Sequence, residues 1–245
     1  MKLKARRVSV VGVAVALVVL WLMINPASYE TETTIAEDSE LDYTAEMVTE
    51  PDTNAPLATE VLERLEVKGR APKTGYTREE FYSGWPTVDG CSLRQKIIRR
   101  EFGDSAVLDE CNVVAGEYTE PYTGEYMRFE TRKEISKKIQ IDHVVALSDA
   151  WQKGAQYLTA DERYKIATDP LNLLAVEASA NAKKSDGDAA TWLPPNKKFR
   201  CQYVARQVSV KYKYKLWVTD AEKEAISKVL VNCLKEPAVG VVIAE

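Results

Sequence analysis

A chain of 245 residues accommodates one domain with appendages, and its single histidine, His143, argues against a His-based zinc site. Its four cysteines lack the close C-x-x-C pairs of a four-Cys zinc site. The net charge of −4 averages over unlike parts: residues 28–66 hold twelve Asp/Glu against one Arg, while residues 67–245 hold 28 Lys/Arg against 25 Asp/Glu, about +3.

Residues 1–7 are basic, and residues 8–24 carry no charge and only Ser9 as a polar side chain. This reads as a signal anchor or a cleaved secretory signal within residues 1–27. Asn25-Pro26-Ala27 lacks the A-x-A pattern of a cleavage site, which favours the anchor. With Lys2, Lys4, Arg6 and Arg7 kept inside, the remainder is expected outside the cytoplasm, held to the membrane by residues 8–24 or secreted. Residues 28–66 read as a disordered acidic spacer, with a short helix near residues 57–67. The folded domain is expected over residues 67–245, its core about 91–235.

Within it, residues 76–90 are rich in turn formers, with a short helical piece at 78–82. Residues 92–102 space Leu93, Ile97, Ile98 and Phe102 helically behind Ser92 as N-cap. Residues 113–118 and 125–130 flank the turn sequence Pro121-Tyr122-Thr123-Gly124 and predict a hairpin. A strand is expected at 139–143 and a helix at 144–154. A second helix at 161–168 is stopped by Pro170; a strand follows at 171–176 and a short helix at 178–184. Two packed helices follow at 199–217 and 221–234, with Asp220 capping the second. The fold class is α+β. Trp151, Trp192 and Trp217 are expected in the core.

An even number of cysteines outside the cytosol implies two disulfides, for which sequence allows three connectivities. Cys91–Cys111 and Cys201–Cys233 are favoured because each pair brackets one local unit. Between residues 183 and 215 nine Lys/Arg face only Asp186 and Asp188, a basic tyrosine-bearing surface suited to a polyanion.

The chemistry concentrates in three stretches: Asp142-His143 on an apolar strand, Asn172 on the next strand, and Asn181 with Lys183 and Lys184 on a helix. A carboxylate beside an imidazole, followed by two Asn and a Lys, can hold one hard metal ion next to a general base. The stretches CSLRQKIIRREF, PYTGEY, IQIDHVVALSDAWQKGA and DPLNLLAVEASANAKKSDGDAATWLPPN, with the Cys-bearing C-terminal helices, resemble an HNH (ββα-metal) endonuclease. The similarity is to an exported bacterial branch related to the C-terminal nuclease domain of GmrSD-type restriction enzymes. Asn181 stands where many HNH enzymes have His.

The resemblance implies a ββα-metal core with a hairpin and additional helices. Asp142 and Asn181 would hold one divalent ion, Mg²⁺ or Mn²⁺. His143, neutral at pH 7, would deprotonate the attacking water, and Asn172 would brace the finger. Lys184 would face the phosphate, and Lys183, Lys197, Lys198 and Arg200 would bind flanking nucleic acid. Gln140 and Tyr122 are candidate supporting contacts. The expected activity is exported, metal-dependent hydrolysis of phosphodiester bonds, of DNA ahead of RNA, and no protein partner is implied. The rival reading is a catalytically silent nucleic-acid-binding surface protein; a disulfide-stapled structural module is a third.

Overall fold

The computed structural model describes residues 55–241. The expected signal or anchor at 1–27 and the spacer over 28–54 lie outside the described residues. Among the described residues no helix is long and apolar enough to cross a membrane.

Helix α1 (Ala58–Arg64) opens the fold, and the short pair β1 (Thr87–Val88) and β2 (Cys91–Ser92) leads into α2 (Leu93–Phe102). A three-stranded antiparallel sheet follows from β3 (Val107–Asp109), β4 (Asn112–Thr119) and β5 (Tyr126–Phe129). Then come α3 (Arg132–Lys138), β6 (Ile139–His143), α4 (Leu147–Gln152), α5 (Ala160–Thr168), β7 (Leu173–Glu177) and α6 (Ala178–Lys184). Helices α7 (Arg200–Lys213) and α8 (Asp220–Leu230) close the chain. The class is α+β, as the sequence predicts.

Strands β6 and β7 form the centre. They pair antiparallel, with Asp142 opposite Leu174 and His143 opposite Leu173. Leu174 and Val176 point into a core built with α1, α7 and α8, while Leu173 and Ala175 point into a second core with α2 and the β4–β5 hairpin. Burial on both faces explains why β7 reads as an unbroken apolar run rather than an alternation. A third core joins α4 and α5 to residues 76–85. Gly124, at φ +79°, turns the chain between β4 and β5 in a conformation that costs a glycine little. Both disulfides pair as expected, Cys91 with Cys111 and Cys201 with Cys233.

Four expectations are corrected. The boundary at 66/67 falls inside the folded domain: Ala58, Val61, Leu62 and Leu65 are buried in the main core. The Ala58 and Ala238 amides donate to the Glu236 and Pro56 carbonyls, so this segment pairs with the C-terminal tail. The cap of α8 is Thr219, whose hydroxyl accepts from the Glu222 amide; Asp220 is the first helical residue. Ser92 stands at the N-cap of α2, but its side chain makes no capping hydrogen bond. Residues 170–172 form a 3-10 turn, so β7 begins at Leu173. Sequence reading also passed over α3, although Thr131 and Glu134 form a capping box at its start.

Candidate active site

Strand β6 carries Gln140 and Asp142 two residues apart, on one side of the strand. Helix α6 follows β7 directly and begins under control of Glu177, whose carboxylate accepts from the Ser179 and Ala180 amides. Buried Glu120, on the β4–β5 turn, in turn accepts from the Glu177 amide. So started, α6 sets two residues one turn apart against β6. Asn181 Nδ2 donates to Gln140 Oε1 at 2.9 Å. Lys184 Nζ donates to Asp142 Oδ1 at 3.0 Å and to the His143 carbonyl at 2.8 Å.

Lys184 is only 2% exposed, which corrects its expected place. It does not present its ammonium to a phosphate; it is the counterion of a buried carboxylate. Tyr122, fully buried, donates its hydroxyl to the other oxygen of Asp142. Burial raises the Asp142 carboxyl above its ordinary range, with Lys184 and Tyr122 offsetting part of the rise.

His143 ends β6. Its Nε2 donates to the Ala167 carbonyl at 2.9 Å, so in the neutral ring the lone pair is on Nδ1. Burial pushes the imidazole pKa down to about 3, and nearby Arg78 and Lys184 push the same way against the Ala167 hydrogen bond. Asn172 braces this arrangement: its Oδ1 accepts from the Val145 amide at 2.8 Å, and its Nδ2 donates to the Ile166 and Val145 carbonyls. One buried amide thus ties the segment after His143 to the end of α5, which supplies the Ala167 carbonyl.

Asp142, His143, Gln140 and Asn181 line one cleft of about 360 Å³. Lys73, Tyr76, Arg78, Ser148 and Asp186 line it too, and sequence reading singled out none of them. Ser148 and Asp186 lie within the stretches that carry the family resemblance but have no role assigned there, and Lys73, Tyr76 and Arg78 belong to a segment distant in sequence that no motif marks. Asp186 accepts from Ser148 Oγ at 3.1 Å and from Lys73 Nζ at 3.0 Å, and Lys73 holds its carboxyl below the ordinary range.

The donor types present, a carboxylate and an amide carbonyl, are those a hard divalent ion takes. Asp142 is already engaged by Lys184, 3.0 Å from each of its oxygens, and by the Tyr122 hydroxyl, so it would offer an ion at most one oxygen; the Asn181–Gln140 contact leaves the Asn181 carbonyl oxygen available. Among the described residues no three or more His, Cys, Asp or Glu gather into a cage, so water and substrate oxygens would complete the shell.

The expected basic surface over residues 183–215 is broken up. Lys211 is buried in an ion network with Asp149 and Glu222, and Lys213 meets Asp169 at 2.9 Å. The reason is that α7 is mostly a core helix, burying eight of its side chains. Lys183, Lys197 and Lys198 are exposed, but Lys197 and Arg200 line a different cavity of about 610 Å³, beside Cys201 and Lys228. Trp192 packs on Tyr122 and Tyr203, and Trp151 and Trp217 are buried.

Residues 94–229 match the family described as GmrSD restriction endonucleases, C-terminal domain. An uncharacterized secreted protein of Arthroderma benhamiae is 34% identical over 183 residues, 74% of this chain and 86% of its own length. No solved structure matches the chain. With more than half its length inside the match, the chain belongs to the family of GmrSD restriction endonuclease C-terminal domains.

Proposed function

We propose that this protein is an exported, metal-dependent endonuclease of the HNH type, with β6, β7 and α6 as its ββα-metal finger. The family supports nuclease chemistry. The observation that carries the finer reading is the meeting of Asp142, His143 and Asn181 in one cleft, from two elements that β7 connects. The two disulfides and the secreted relative support a location outside the cytoplasm.

His143 is the general base. Its Nδ1 takes the proton of the attacking water, and the Ala167 carbonyl fixes the tautomer that makes this possible. Asn172 holds the two segments that carry these groups. Asp142 and Asn181 hold the divalent ion, Mg²⁺ or Mn²⁺, which when bound neutralises charge at the scissile phosphate and the leaving oxygen. Tyr122 and Lys184 act through Asp142 by fixing its carboxylate. Lys183, Lys197, Lys198 and Arg200 remain candidates for flanking phosphates, with DNA as the expected substrate.

The test is nicking of supercoiled plasmid with Mg²⁺ or Mn²⁺. His143→Ala, with His143→Gln beside it to keep the pocket filled, should slow cleavage by ~10²–10⁴-fold. Asp142→Ala should instead shift the metal requirement to higher concentration. If the wild-type chain leaves both DNA and RNA intact in either metal, the silent nucleic-acid-binding reading takes its place.

A further inference from the structure

The cleft has a wall that lies outside the family match. Residues 70–88 precede position 94, where the match begins, yet Lys73, Tyr76 and Arg78 among them line the cleft, and the segment is fastened at several points. Arg70 meets Asp188 at 2.7 Å and Asp149 at 3.2 Å. The Ala71 amide donates to the Gln152 carbonyl, and Trp151 Nε1 to the Thr74 carbonyl. Arg163 of α5 donates to the Glu80 carbonyl at 2.8 Å. The segment also meets the catalytic ring itself. Trp85 stacks on His143 with centroids 6.0 Å apart and planes 10° apart, and the Tyr82 ring lies 5.9 Å away.

Charge in the cleft is unevenly matched. Its lining carries two carboxylates, Asp142 and Asp186, and two cations, Lys73 and Arg78. Lys184 lies buried against Asp142, and Lys73 is taken up by Asp186. Arg78 is exposed, and among the described residues no carboxylate pairs with it. It is nevertheless held: its guanidinium lies over the Tyr82 ring, 5.1 Å from the centroid, and donates to the Tyr82 hydroxyl. Tyr82 therefore touches His143 on one side and presents Arg78 on the other. With Asp142 matched by Lys184 and Asp186 by Lys73, Arg78 is left as the lining's cation without a carboxylate partner, free to add to the attraction that a bound divalent ion would exert on an entering phosphodiester. A guanidinium fork matches two phosphate oxygens at once.

We propose that Arg78 is the phosphate-binding residue of this cleft, contacting non-bridging oxygens of the bound phosphodiester, with Tyr82 as its positioning residue. This rests on the nuclease reading for its substrate but not for its measurement, which is binding.

The full chain is titrated in EDTA against a fluorescein-labelled DNA duplex, by anisotropy, across a salt series. Arg78→Ala should weaken binding about tenfold and lower the slope of log affinity against log salt by about one. Arg78→Lys should keep the slope and lose part of the affinity. Tyr82→Phe, which keeps the ring but removes the hydroxyl, should weaken binding less than Arg78→Ala. Arg128→Ala, which removes an equal charge from the hairpin outside the cleft, should change neither quantity. In plasmid nicking, Arg78→Ala should raise KM while kcat stays within about threefold. Arg78→Ala with the affinity and salt slope of Arg128→Ala overturns the proposal. A wild-type chain that binds through Arg78 but nicks nothing overturns the nuclease reading and leaves the phosphate contact standing.

Discussion

At the scale of single residues, the site depends on groups whose charge state is set by burial. His143 is the chain's one histidine, so its ring can be followed by NMR without assignment ambiguity. Its pKa, pushed down to about 3 from 6.5, means the folded ring stays neutral while an unfolded ring would take up a proton. The contribution to stability is therefore full above pH 6.5 and is lost progressively as pH falls toward 3. The ring carbon resonances should show no titration between pH 7 and 5; a midpoint near 6.5 would refute the buried, carbonyl-bonded ring. Lys184 makes a second demand. Lys184→Met leaves Asp142 buried without its cation, and loss of one partner of such a pair costs about 3–5 kcal/mol. Thermal or urea denaturation should show that loss. A stability change below about 1 kcal/mol would mean that Lys184 does not hold Asp142 as described.

At the scale of elements, the register between β6 and α6 decides the site. Gln140 and Asp142 alternate along a strand, Asn181 and Lys184 recur along a helix, and the two spacings meet as two side-chain pairs. Those periods were legible in the sequence, and so was each element that carries them. Which of the two helix residues would be buried was not, because spacing alone does not say which face of a short helix meets its neighbour. Helix α1 shows the converse: a short helix was legible there, but composition hid its place in the core. Its neighbourhood is acidic and reads as spacer, but three of its apolar side chains, with Leu65 just after it, enter the main core. A chain of residues 67–245 should therefore melt well below one of residues 55–245. Burial of Ala58, Val61, Leu62 and Leu65 contributes several kcal/mol at roughly 25 cal/mol per Å². Equal melting temperatures for the two truncations would show that α1 adds nothing.

At the scale of the whole molecule, charges and cross-links fasten parts that are far apart in sequence. Lys153, fully buried, sits 2.7 Å from each of Asp149, Asp188 and Glu222, and Lys211 and Arg70 complete a network of three cations and three carboxylates. It ties α4, α7 and α8 to the segment that walls the cleft. Burial alone would raise the Asp188 carboxyl, but Lys153 and Arg70 hold it down at about 2, so its stabilisation is present above pH 3.8 and lost as pH falls through 2. The disulfides act on the unfolded chain. They close separations of 20 and 32 residues, and chain entropy assigns each about 3–4 kcal/mol in the simplest model. Replacing both cysteines of either pair with serine should lower the melting temperature by several degrees. Peptide mapping under non-reducing conditions that joins Cys91 to Cys201 or Cys233 would overturn the pairing.

The sequence by itself determined what depends on local order: the α+β class, the central strands, and the Asp-His, Asn and Asn series; it favoured one disulfide pairing of three, which the structure settled. Each follows from periodicity, spacing or residue chemistry along a few neighbouring turns of chain. Only the tertiary structure decided which charges are spent and which are free. Lys184 and Lys211 look like surface lysines in a basic run, and become buried counterions because Asp142 and Asp149, 42 and 62 residues away, fold against them, with Glu222 of the next helix also meeting Lys211. Arg78 carries no motif, and matters because Tyr82 holds it over the cleft while Lys73 and Lys184 are taken by acids. A side chain's availability is set by every group packed around it, and that set is assembled only when the chain folds.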